Sequence, residues 1–158
     1  MQLNIQKHQR GVSAVELLVG ISILAIMFIA VSFTITQFLS SSRDIADKTQ
    51  ALYLAEEGLE MMRFIRDKQW NYLSDLDDGN KYYLAISGSD VGTTTTKETI
   101  GIFTRSIRVT GVDRNGSDDI VQSGTDDPDS KYVTAIVTWG NPTSTVSLTT
   151  MLADIQNP

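Results

Sequence analysis

Three sets of side chains are of types that could do chemistry. The first is Glu16, the one ionisable residue between Val12 and Leu39. A carboxylate in an apolar run costs roughly 2.5 to 3.5 kcal/mol near a membrane centre, so it must find a cation or reach water. The second set is acidic. Asp113, Asn115, Ser117, Asp118 and Asp119 surround Gly116, with Asp126, Asp127 and Asp129 close behind, and Asp75, Asp77 and Asp78 form another group. Such oxygen donors suit calcium, but a twelve-residue calcium loop needs glycine at its sixth position and a bidentate glutamate at its end. Neither stretch meets that pattern, so a solvated hairpin loop is expected and no metal ligand is assigned. The third set is defined by scarcity: there is no cysteine, and His8 is the single histidine. The absence of cysteine excludes thiolate chemistry and disulfides, and because His8 lies in a leader expected to be removed, the mature chain would also lack common zinc sites and histidine-based triads. No nucleophile, base and orienting group can be named together, so no enzyme and no cofactor are expected.

These residues sit in a chain of 158 residues, enough for one modest domain and an anchor. The overall 41% hydrophobic content hides an uneven distribution, because charge is nearly absent from Val12 to Leu39 and concentrated after Ser42. That run predicts a helix of roughly 42 Å, longer than the ~30 Å hydrocarbon core. Lys7 and Arg10 precede it. The positive-inside rule therefore places the N-terminus in the cytoplasm and the bulk of the chain outside, as a single-pass protein of the cytoplasmic membrane. With a net charge of -6, direct nucleic-acid binding is not predicted, since phosphate neutralisation needs clustered Lys and Arg. Ser13 and Glu16 have the spacing of a capping box, which is an alternative role for Glu16 at the helix start.

The string Gly11-Val12-Ser13-Ala14-Val15-Glu16-Leu17-Leu18-Val19, after a short basic leader, resembles the signal of type IV prepilins. The resemblance implies that residues 1–11 are a leader removed by a prepilin peptidase, that Gly11 is the cleavage residue, and that Val12 is the methylated first residue. It makes Glu16 the family's assembly carboxylate, able to pair with the N-terminal amine of a neighbouring subunit. Removing one member of such a pair strands the other, at roughly 3 to 5 kcal/mol. Two departures stand out: Val12 replaces the family's usual phenylalanine, and no proline precedes Pro128. Gly20, Ser32, Thr34 and Thr36 are the remaining weak points of the anchor.

Beyond the anchor the helical period continues. Ile45, Leu52, Ala55, Leu59, Met62 and Ile65 trace one face, and the helix is expected to run to about Trp70. Met61, Met62, Phe64 and Trp70 are read as core rather than a partner site. The stretch ALYLAEEGLEMMRFIRDKQW resembles the stalk helix of minor pilins and minor pseudopilins. Strands are expected at 82–87, 103–112, 132–139 and 146–152, with Phe103 and Ile107 inward, Arg105 an exception or at the edge, and 140–143 a hairpin connection. Gly92 to Thr96 reads as a mobile connection.

The expectation is an α+β fold, a long N-terminal helix on a three- or four-stranded antiparallel sheet, divided into a leader (1–11), a filament-core helix (12–39) and an extracytoplasmic head (40–158) whose amphipathic helix ends near residue 72. The functional expectation is a structural subunit of a type IV pilus or secretion-type filament. Its partners would be the peptidase, other pilin or pseudopilin subunits, and the membrane. The alternative is an uncleaved, signal-anchored surface binding domain.

Overall fold

Ser13 opens the longest element by accepting two backbone N–H groups at the helix start. Its carbonyl takes Leu17 N at 3.1 Å and its Oγ takes Val15 N at 3.4 Å. A computed structural model describes residues 13–140 and 143–155, and in it helix α1 runs unbroken over Ala14–Lys68. Gly20, Ser32, Thr34 and Thr36 do not interrupt it. The chain divides into two units between Ile45 and Ala46, so the halves of α1 belong to different units.

In the second unit, α1 is followed by a single turn, α2 (Asn71–Ser74), and seven strands: β1 (Lys81–Ser87), β2 (Asp90–Thr94), β3 (Glu98–Ile100), β4 (Phe103–Arg114), β5 (Ile120–Val121), β6 (Thr125–Trp139) and β7 (Ser144–Ala153). The α+β architecture is as expected, with more strands than three or four. All pairings are antiparallel, in the order β2-β1-β4-β6-β7. One edge of β4 pairs with β6, and the other is shared by β3 at 103–105, β1 at 107–108 and β5 at 113–114. The Gly92–Thr96 connection needs correction, because Gly92 to Thr94 belong to β2, paired with Tyr83 to Ala85. Gly88 supplies the positive φ that the two-residue β1–β2 turn requires.

The core lies between the second half of α1 and one face of the sheet. Ala51, Ala55, Gly58, Leu59, Met62 and Ile65 form the buried stripe of α1. Four of the expected face residues are among them, whereas Ile45 and Leu52 are exposed. The stripe is rotated because close approach decides it. A Cβ on Gly58 would lie 3.2 Å from Arg105 Cδ and 3.4 Å from both Ala135 Cβ and Ile107 Cδ1. Small residues therefore face the sheet, and larger apolar ones at its margin stay partly wet. Met62 and Trp70 are core, Met61 packs against it, and Phe64 is half exposed.

Phe103, Arg105, Ile107 and Val109 all face this core, so of the two readings of Arg105 it is the exception and not the edge residue. The residue is 1% exposed, and its guanidinium holds three segments together. Nε and Nη2 form a fork on Glu98 of β3, at 3.0 and 2.7 Å, while Nη1 donates to Glu57 at 2.9 Å and to Leu54 O at 3.3 Å. Burial works against the charge, but Glu98, then Glu57, outweigh it and hold the Arg105 pKa above its ordinary value.

The pairing of β4 and β6 slips once. Between Gly111↔Lys131 and Asp113↔Asp126, Val112 faces four residues of β6, Asp127 to Ser130. This irregularity lets Pro128 occupy a central strand, where its missing N–H would otherwise break the ladder. Its carbonyl is satisfied from the helical side, by Trp70 Nε1 at 3.2 Å.

Candidate functional site

The first unit carries the residues on which the functional reading turns. Every described apolar side chain of α1 before Ser40 is exposed, from Val15 to Leu39, with Phe28 at 75%. Among the described residues this is the one helix long and apolar enough to cross a membrane. Water is the wrong solvent for such a surface, and a lipid bilayer or other apolar helices are the right ones.

The backbone suits that environment. An α-helix satisfies its own N–H and C=O groups, which hydrocarbon demands. Three of the side-chain hydroxyls are satisfied too: Ser22 Oγ donates to Leu18 O at 2.8 Å, Thr34 Oγ1 to Ala30 O at 2.9 Å, and Thr36 Oγ1 to Ser32 O at 2.9 Å. These back-bonds were not anticipated from sequence. Their signal is any Ser or Thr four residues after a helical carbonyl in an apolar run.

Glu16 lies in the first turn of α1, is exposed, and has no hydrogen-bond or ion-pair partner among the described residues. Ser13 supplies its half of the capping arrangement alone, through Val15 N. The carboxylate sits where the helix dipole favours negative charge, with its oxygens left for another group. Gly11 and Val12 fall outside the described residues.

In the second unit the acidic stretches are committed to their own surroundings. Asn115 Oδ1 accepts Ser117 N and Asp119 N at 2.9 Å each, closing the β4–β5 turn, and Asp118 takes a left-handed φ of 67° within it. Arg114 reaches Asp127 at 2.6 Å and Asp118 O at 3.0 Å. Its hydrogen bond holds the Asp127 carboxyl below the usual range, against the opposing effect of burial. Asp78 accepts Gly111 N at 3.1 Å, and Lys131 Nζ sits 4.0 Å from Asp78 and 3.7 Å from Asp126. Asp77 caps its own turn, taking Asn80 Nδ2 at 3.4 Å. No group of three or more His, Cys, Asp or Glu side chains converges to hold a metal among the described residues. Arg114 lies beside Asp118 and Asp127, and Lys131 beside Asp78 and Asp126.

The class defined by this arrangement is an α+β protein with an apolar N-terminal helix able to serve as a membrane anchor and a sheet domain built on the same helix. No family model, no curated protein and no solved structure matches the chain.

Proposed function

We propose that the chain is a structural subunit of a type IV pilin-like filament, a minor pilin or minor pseudopilin, made as a precursor and cut after Gly11 by a prepilin peptidase. The observation that carries this reading is the pairing of an apolar half-helix, with no described side chain buried within the protein, with a carboxylate at its start that has no partner among the described residues. Cleavage after Gly11 creates a cationic amine at Val12, which the peptidase methylates. In the cytoplasmic membrane the helix is a single-pass anchor with its N-terminus in the cytoplasm. In the filament, the anchors of neighbouring subunits replace lipid around one another, and Glu16 of one copy neutralises the amine of the next. Two opposite charges tolerate low dielectric only as a pair, so the interaction sets register as well as attraction. The sheet domain stays outside, and the subunit needs no cofactor and performs no catalysis.

Gly11→Trp tests the processing step. The proposal expects the full precursor to accumulate in the membrane, whereas normal processing of the variant contradicts it. An uncleaved, signal-anchored binding domain would use the same helix but would keep Met1 in the wild-type protein.

A further inference from the structure

The sheet face turned away from α1 carries a cationic pair that the filament reading does not use. Lys81 of β1 stands directly opposite Arg108 of β4, and the same row continues through Thr134 of β6 to Thr149 of β7. Directly paired residues project to the same side of a sheet, and like charges in that relation repel. Arg105, Ile107 and Val109 fill the α1 face, so Arg108 lies on the other. The flanking rows, Ser106–Ile136–Ser147 and Thr110–Tyr132–Met151, contain no carboxylate.

Six cations of the second unit, Arg63, Arg66, Lys68, Arg105, Arg114 and Lys131, each have an acidic partner. Among its described residues only Lys48 and Lys97 join Lys81 and Arg108 in having none, in a chain whose net charge is -6. A second observation is independent of charge: Arg108 Nε is buried with no hydrogen-bond acceptor. A buried donor on a cationic group is expensive to leave unmade, and such orphans mark places where an acceptor belongs. The adjacent row supplies hydroxyls, Thr134 Oγ1 and Thr149 Oγ1, which bond each other at 2.9 Å.

We propose that Lys81 and Arg108 form a binding site for an oxyanion, a carboxylate or a phosphate-type group, on the outer face of the sheet. An acceptor reaches Arg108 Nε when the guanidinium lifts from the strand, and an anion drawn in by Lys81 provides both the acceptor and the compensating charge. The planar fork of Arg108 suits two oxygens of one group, and Lys81 adds a point charge beside it. Binding removes the repulsion between the cations and satisfies the orphan N–H in one step.

The test uses full-length, nitrogen-15-labelled protein in detergent micelles and follows the arginine Nε–Hε signals during titration with inorganic phosphate, sodium acetate or, as the ionic-strength control, sodium chloride. The Arg108 signal is assigned by its loss in Arg108→Lys. The expected result is a saturable shift of that signal with phosphate, acetate or both, while Arg105 does not move. Lys81→Gln, at an exposed position, should weaken the binding by about tenfold. Saturation by phosphate alone identifies a phosphate-type ligand, and saturation by acetate identifies a carboxylate. A response no different from chloride overturns the proposal, as does unchanged affinity in Lys81→Gln. Because the readout is a side-chain signal in the sheet domain, either result leaves the filament reading where it stood.

Discussion

The two halves of α1 are one uninterrupted helix with opposite surfaces. Before Ser40 its described apolar side chains are exposed, and after Thr49 a stripe of small and medium residues is pressed against a sheet. Hydropathy alone would rank the first half as the better core. It is not core, because among the described residues no other element of its own unit covers it, and apolar surface is buried only where a partner exists. The second half buries less apolar bulk per residue yet defines the domain, since Ala51, Ala55 and Gly58 admit the sheet to close range. Apolar character shows that a surface needs a partner, whereas side-chain size decides whether an internal partner can get close.

The contrast can be broken most sharply by shortening one side chain in each half. Met62→Ala should lower the stability of the sheet domain by about 2 to 5 kcal/mol in denaturant unfolding, because Met62 is fully buried. Leu24→Ala, in the exposed half, should leave the same unfolding curve unchanged. Equal losses would mean that the two surfaces are not distinct.

The ion pair that joins α1 to the sheet should show a smaller and asymmetric effect. Arg105→Ala leaves Glu98, whose side chain is 18% exposed, without its cation, and should cost about 3 kcal/mol. Glu57→Gln should cost no more than about 1 kcal/mol, since Glu57 is 51% exposed and water replaces the lost contact. Chemical unfolding of both variants measures the difference. A Glu57 variant as unstable as the Arg105 variant would show that the helix side carries the bond.

Acid should expose a weaker feature of the sheet domain. Asp127 is held below the ordinary carboxyl range by its bond to Arg114, so it binds its proton less readily folded than unfolded. Its contribution to stability is complete above the unfolded pKa, near 3.9 for aspartate, and is lost as pH falls through the lower folded value. Asp127→Asn should therefore flatten the acid-side decline of melting temperature and leave its slope near neutral pH unaltered. A slope change confined to neutral pH would assign the effect to another group.

Much of the architecture was legible because it is periodic. Alternation located β4, β6 and β7, a short β-rich run marked β1, and the 3.6-residue period carried α1 past the apolar run. The shorter strands were not legible. Glu98–Ile100 and Ile120–Val121 are too brief to alternate, and both depend on a free edge of β4 that exists only after folding. Asp90–Thr94 was hidden in a Gly- and Thr-rich stretch whose pairing is set by the turn at Gly88. Whether Arg105 was an exception to the polarity pattern or at the edge could not be decided locally, and it is the exception, buried on the core face. Its partners lie 7 and 48 residues away in the chain, beyond any local pattern. The rotation of the α1 stripe had the same origin, since the pattern weighed hydrophobicity while packing selected small size. At the candidate site, Glu16 was visible from its isolation, and the structure adds that Ser13 caps the helix through Val15 N.

The central claim, that the exposed half-helix begins at a trimmed end whose amine meets Glu16 of another copy, is tested most directly by intact-mass measurement of the protein recovered from membranes and filaments. A mass corresponding to a chain starting at Val12 and carrying one added methyl group is the predicted result. A chain that retains Met1 to Gly11 in assembled filaments would contradict it.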